Sequence, residues 1–195
     1  SGVTSEFCGY ETGAKEGAEI RAIFVDGREV DSVPEGTRAE IVVDDTPFYG
    51  KSGGQTGDTG YLEGENFYFT VEDTKKPVDR FTVHKGVVRS GRASVGTRAK
   101  MVVDLERRAA IAANHSGTHL LQAALKAVLG DHVKQSGSLV NAERLRFDFT
   151  HFSAITDEEL ERIETIANDM IRKNLPVETE ICPLADALKT GATAV

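Results

Sequence analysis

The sequence predicts an α+β protein in two parts, on three observations. Residues 1–103 hold short runs rich in Val, Ile, Phe and Thr, separated by turn formers. Residues 104–129 form one long helical pattern with a start and a stop signal. The residues after 130 alternate strand and helix, a pattern unlike the first part.

In chain order, Glu19–Phe24, Ala39–Val43, Phe67–Val71, Arg80–Val83 and Thr97–Val103 read as strands. Asp26-Gly27, Pro34-Glu35-Gly36, Gly64-Glu65-Asn66, Lys85-Gly86 and Ser94-Val95-Gly96 read as the turns between them. Many short strands at this spacing predict a small barrel or sandwich. Asp104 can cap the long helix, Glu106 suits its positive end, alanines fill it, and Gly130 stops it. Val133–Val140 and Arg144–Phe149 read as two strands. Thr156 with Glu159 forms a capping box for a second helix running to about Lys173. Val177–Ile181 reads as a strand and Pro183–Leu188 as a short helix start. The expected domains are 1–103, a β-barrel with a glycine-rich loop, and 104–195, an α+β part.

Bulk properties narrow the function. The net charge is −8, from 31 acidic and 23 basic residues, so a dedicated nucleic-acid binder with a basic surface is disfavoured. The two cysteines, Cys8 and Cys182, form no CxxC pattern and suggest no disulfide framework. The first residues lack a basic-then-apolar signal segment, and no apolar run approaches the roughly twenty residues of a membrane span. The expectation is a soluble cytoplasmic protein with no membrane partner.

Two stretches carry chemistry. From Thr46 to Gly60, glycines at 50, 53, 54, 57 and 60 interrupt any regular strand, and two aromatics and a Gln55-x-x-Asp58 spacing lie among them. Such a run is either a plain surface loop or a backbone that must approach a ligand closely. On the long helix, Asn114-His115-Ser116-Gly117-Thr118-His119 puts two imidazoles one turn apart on one face. Leu121, Ala124, Leu125, Val128 and Gly117 fall on the opposite side, so the histidines belong to the polar face. This spacing suits one zinc ion, and equally suits an exposed pair with no role. Ser116 replaces the glutamate of a zinc-protease HExxH motif, so that chemistry is excluded. Other candidate ligands (His84, His132, His151, Cys8, Cys182) make no second paired motif.

In combination these stretches are specific. Thr46-Pro47-Phe48-Tyr49 with Ser52-Gly53-Gly54-Gln55-x-Gly57-Asp58-x-Gly60 resembles the editing region of alanyl-tRNA synthetases and of freestanding alanyl-tRNA editing proteins. Asn114–Leu121, Gly130–Val140 and Arg146–Phe149 come next, in that family's order. The resemblance implies a translation-factor-like β-barrel followed by the α+β domain shared with threonyl-tRNA synthetase. It implies hydrolysis of serine or glycine wrongly esterified to the acceptor end of alanine tRNA, at a zinc site. His115 and His119 match two of its ligands; the Cys and His of a later CxxxH pair are expected beyond Val195, so the chain resembles a fragment cut inside the α+β domain. Gln135 and Thr46 are the candidate catalytic polar groups, and Gly53, Gly54 and Gln55 the candidate substrate contacts. Arg107, Arg108 and Lys134 are candidate contacts to the tRNA end. The other domains of a parent synthetase are implied partners, and ATP belongs only to a synthetic domain.

The chemistry makes sense independently. Serine exceeds alanine by one hydroxyl, which an apolar synthetic pocket rejects poorly, and a second site able to hydrogen-bond that hydroxyl corrects the error. Three readings stand: an editing hydrolase within a synthetase or freestanding, a silent tRNA-acceptor-end binding module, and an unrelated zinc hydrolase.

Overall fold

The computed structural model describes residues 4–10 and 12–171. In chain order the strands of the first part are β1 (Glu6–Phe7), β2 (Ala14–Val25), β3 (Arg28–Val30), β4 (Ser32–Pro34), β5 (Arg38–Val43), β6 (Asp45–Thr46), β7 (Gly60–Gly64), β8 (Phe67–Val78), β9 (Phe81–Ser94) and β10 (Arg98–Val103). Next come helix α1 (Leu105–Leu129), strands β11 (Lys134–Val140) and β12 (Leu145–Thr150), and helix α2 (Asp157–Ile171). The predicted Val177–Ile181 strand and Pro183–Leu188 helix lie outside the described residues.

The mixture of barrel and helix–hairpin layers is the predicted α+β class. Strands pair in the order β10-β7-β8-β9-β5-β2, and β10 also pairs with β2, so six antiparallel strands close on themselves. Closure leaves these six no free edge and turns one face of each strand inward. Ile20, Ile41, Val43, Leu62, Phe69, Val88 and Met101 fill the interior, and Phe48 from the glycine-rich stretch joins them. β3 extends β2, β4 pairs β9, and β1 runs parallel to β6.

β8 and β9 are longer than their apolar runs suggested, because Glu72, Lys75 and Lys76 face solvent while the backbone ladder continues. Gly86 sits within β9 because a Cβ there would strike the Thr70 carbonyl. The one-residue offset at Val71/Asp73 is a bulge that bends this ribbon.

Both helices start as the sequence predicts. The Asp104 carboxylate accepts the Arg107 N–H at 2.9 Å. At α2 the Thr156 hydroxyl accepts the Glu159 N–H at 3.2 Å, and the Glu159 carboxylate accepts the Thr156 N–H at 2.9 Å. This reciprocal capping satisfies amide groups that an open helix end leaves bare. Gly130 ends α1 with φ 106°, a left-handed value a Cβ would strain.

Backbone proximity divides the chain into Ser1–Ala109 and Ala110–Val195. The division falls inside α1, past the Asp104 at which composition changes, because the first turns of α1 are bonded to the barrel. Asp104 donates its N–H to the Thr59 carbonyl at 2.8 Å, and Arg107 its guanidinium to the Gly57 carbonyl at 2.8 Å. In the second unit, Leu121, Ala124 and Leu125 of α1 pack with Val133 and with Ile163 and Ala167 of α2. Leu145, Phe147 and Phe149 of β12 cover this core. The β11–β12 connection is closed by Asn141, whose side-chain oxygen accepts the Glu143 and Arg144 N–H groups.

Candidate functional site

The predicted site residues fall into two groups, one in each unit. In the first unit the glycine-rich stretch is ordered by its own hydrogen bonds. Ser52 and Gln55 exchange backbone bonds at 2.9 and 3.3 Å, closing a two-residue turn on Gly53 and Gly54. Both glycines have positive φ, 56° and 84°, values that glycine adopts without the strain a Cβ brings. Gly53 and Gln55 thus sit at an outer turn, and the space above Gly53 is open.

A buried carboxylate holds the base of this stretch. Asp58, 3% exposed, accepts the Tyr49 N–H at 2.6 Å and ion-pairs with Arg108 of α1. Arg108 also donates to the Pro47 carbonyl at 2.5 Å and the Gly9 carbonyl at 3.1 Å. Gly57 threads past Thr74, leaving no room for a Cβ, and Thr74 donates its hydroxyl to the Asp58 carbonyl at 2.9 Å. Arg107 and Arg108, candidate tRNA contacts by sequence, are instead committed to loop carbonyls and to Asp58. Their value here is as donors to backbone oxygens that would otherwise be unsatisfied.

Thr46 is fully buried, and its hydroxyl is part of an internal chain. The Phe48 N–H donates to Thr46 Oγ1 at 3.1 Å, and Thr46 Oγ1 meets His84 Nε2 at 2.8 Å. His84 Nδ1 lies 3.0 Å from the Ile41 carbonyl, which can only accept. The chain therefore fixes a neutral His84 with its proton on Nδ1, receiving the Thr46 hydroxyl proton at Nε2. Burial agrees, pushing the His84 pKa down from 6.5 to about 4 against the smaller upward pull of the Ile41 carbonyl. His84 is thus spent inside the barrel.

In the second unit, His115 and His119 are both exposed on α1, while Gly117, Thr118, Leu121, Ala124 and Leu125 are buried. The amphipathic reading of this helix therefore holds. Their Nε2 atoms stand 3.2 Å apart. Two imidazole nitrogens on one tetrahedral metal, each at about 2.0–2.1 Å, would be separated by roughly 3.4 Å. The pair as it stands fits two ligand positions around one ion.

Gln135 is exposed on β11, directly opposite Phe149 of β12. A bulge between Gln135 and Gly137 adds a residue just after it. Among the described residues no hydrogen bond joins Gln135 to either histidine. The remaining histidines of this unit pair with each other: His132 Nε2 meets His151 Nδ1 at 2.9 Å, and Phe152 stacks on His132 with centroids 4.5 Å apart. Among the described residues no three His, Cys, Asp or Glu side chains converge as a metal-binding group. Cys182 lies outside the described residues, and Cys8 is in the first unit.

A family model described as tRNA synthetases class II (A) matches residues 2–107, more than half of the chain. The chain belongs to this family. Among curated relatives of this class II synthetase chain, an alanine–tRNA ligase of Saccharophagus degradans is 50% identical over 191 residues, 98% of this chain and 22% of the relative. An alanine–tRNA ligase of Mesorhizobium japonicum is 48% identical over 191 residues, 98% of this chain and 21% of the relative. The class II synthetase chain thus spans about a fifth of the length of these relatives. Among its described residues no helix is long and apolar enough to cross a membrane.

Sequence reasoning missed the Arg108–Asp58 pair and the Thr46–His84 relay. The Gln55-x-x-Asp58 spacing marked Asp58 as unusual, but nothing local indicates that its partner lies on the long helix. His84 stands in a strand whose neighbours are apolar, and an inward histidine there is betrayed only by the ladder register.

Proposed function

We propose that this chain is the part of an alanine–tRNA ligase that hydrolyses serine or glycine mis-esterified to alanine tRNA, with zinc held in part by His115 and His119. The observation that carries this reading is the histidine pair: two exposed imidazoles with Nε2 atoms 3.2 Å apart, in a chain half identical to alanine–tRNA ligases. Their spacing is close to that of two nitrogen ligands on one tetrahedral ion. When bound there, zinc would supply positive charge for orienting the aminoacyl group or polarising a water.

The rest of the chemistry asks little of the protein. An aminoacyl ester is already activated, so holding it beside a water and stabilising the oxyanion suffices. Gln135, exposed and carrying both amide donors and an acceptor, is the group we assign to the serine hydroxyl. The Gly53–Gly54 turn, free of side chains, allows close approach of tRNA to the first unit, with Gln55 beside it. Thr46 has its hydroxyl engaged by His84, so we assign it to holding the stretch in shape.

Serine release from seryl-tRNA(Ala) tests the reading, in the polypeptide that carries this chain. Loss of release in His115→Ala and in His119→Ala, with tRNA still bound, supports it. A second reading, a binding module without hydrolysis, is favoured by the two-nitrogen ligand set among the described residues. It is the reading that survives if tRNA binds and no variant or wild-type protein releases serine.

A further inference from the structure

One surface of the first unit is left unexplained by the hydrolytic reading. Tyr10 is 88% exposed and Phe7 37% exposed, though large aromatic side chains gain most when buried. The two rings meet edge to face at 5.0 Å and 83°, and Phe7 meets Tyr49 in the same way at 6.2 Å and 77°. This cluster is not loose. Glu6 and Phe7 pair with Asp45 and Thr46, the Cys8 N–H donates to the Thr46 carbonyl at 2.9 Å, and Arg108 holds the Gly9 carbonyl. Tyr49 is pinned through its N–H on Asp58. A hydrogen-bonded backbone at residues 6–9 and 49 therefore carries aromatic rings that reach solvent.

Two residues past Tyr49, Lys51 bridges Lys75 across a parallel backbone pairing, which sets both exposed side chains on one face. Among the described residues neither lysine has an ion pair, whereas Lys15, Lys76, Arg80 and Lys85 each have a carboxylate. The chain's net charge is −8, and Lys51 and Lys75 place two cations together on its surface. Two like charges held side by side favour an anion between them.

We infer that the Phe7–Tyr10–Tyr49 cluster with Lys51 and Lys75 is a binding surface for unpaired nucleotides of RNA, one base stacking on Tyr10 and backbone phosphate meeting the lysines. Exposed aromatics beside a short cationic track are how proteins hold single-stranded segments without reading sequence. A local track also answers the unfavourable overall charge, since only a few phosphates need be met. The assignment deepens the proposed function, resting on tRNA as the substrate, and places a contact on the barrel unit.

The test titrates uncharged tRNA(Ala) with the polypeptide that carries this chain, at several salt concentrations. Uncharged tRNA has no aminoacyl ester, so the result is independent of the proposed hydrolysis. Tyr10→Ala should weaken binding about tenfold, and Tyr10→Trp should restore it. The double variant Lys51→Gln, Lys75→Gln should lower the slope of log affinity against log salt by about 1.4, the value for two single-strand phosphates. Thermal unfolding of each variant should match wild type, since all three side chains lie at the surface. Unchanged affinity and salt slope in these variants overturns the assignment. So does a loss of self-association in Tyr10→Ala with RNA affinity untouched, which marks the surface as a contact between copies. Tyr10-dependent binding without serine release would sink the hydrolytic reading and leave this one standing.

Discussion

Removing Arg108 is the sharpest perturbation of the loop frame. Asp58 is 3% exposed and, besides Arg108, accepts only the Tyr49 N–H among the described side-chain bonds. Arg108→Met keeps the aliphatic stem and leaves this carboxylate buried with one amide, while the Pro47 and Gly9 carbonyls each lose a donor. Stripping one member from a buried pair costs about 3–5 kcal/mol. The Arg108 side chain is 22% exposed, so water partly compensates and the lower end, about 3 kcal/mol, applies. Asp58→Asn retains an acceptor for Tyr49 and loses the charge, which should cost about 1–2 kcal/mol. In the double variant the penalties should not add, leaving a coupling of about 2 kcal/mol. Urea unfolding followed by tyrosine emission reads this directly, because the chain has no tryptophan and its four tyrosines all lie in the first unit. Additive penalties, with coupling near zero, would refute the claim that this pair frames the loop.

The same geometry sets three further outcomes. His84 has a folded pKa of about 4, below its ordinary 6.5, so its contribution to stability is full above pH 6.5 and is lost as the pH falls toward 4. The stability advantage of wild type over His84→Gln should therefore shrink by about 3 kcal/mol between pH 7 and pH 4, and an advantage constant with pH contradicts the neutral relay. Gly57→Ala forces a Cβ onto the Thr74 backbone, and should destabilise the first unit by about 1–3 kcal/mol in the same urea assay; an unchanged midpoint would show that the loop yields freely. Thr156→Ala removes the hydroxyl that accepts the Glu159 N–H and leaves the backbone half of the capping box, and amide exchange in α2 should rise by the equivalent of about 1 kcal/mol, with unaltered exchange counting against the cap.

The parts of this protein set by local rules were legible in its sequence. Asp104, Gly130, Thr156 and Glu159 act through atoms a few residues away, so the helix ends could be placed from residue type alone. The polar face carrying His115 and His119 comes from helical periodicity, and the structure places both in solvent. Barrel closure was less accessible. The β2–β10 pairing joins Glu19 to Arg98, and no local pattern encodes a partner so distant. The long β8–β9 ribbon was hidden for a different reason: Lys75, Lys76 and Pro77 look like loop residues, and only the ladder shows them as strand. Thr46 illustrates the limit at the site itself. Its residue type suits a substrate contact, and burial beside His84 is a property of register rather than composition.

The measurement that bears most directly on the central claim is serine release from seryl-tRNA(Ala) at controlled free zinc, comparing wild type with His115→Ala and His119→Ala. The expected result is release that depends on zinc in the wild type and falls by about a hundredfold or more in each variant, a loss at least as large as outer-shell changes cause. Release at the wild-type rate in both variants, whatever the zinc concentration, would contradict the account.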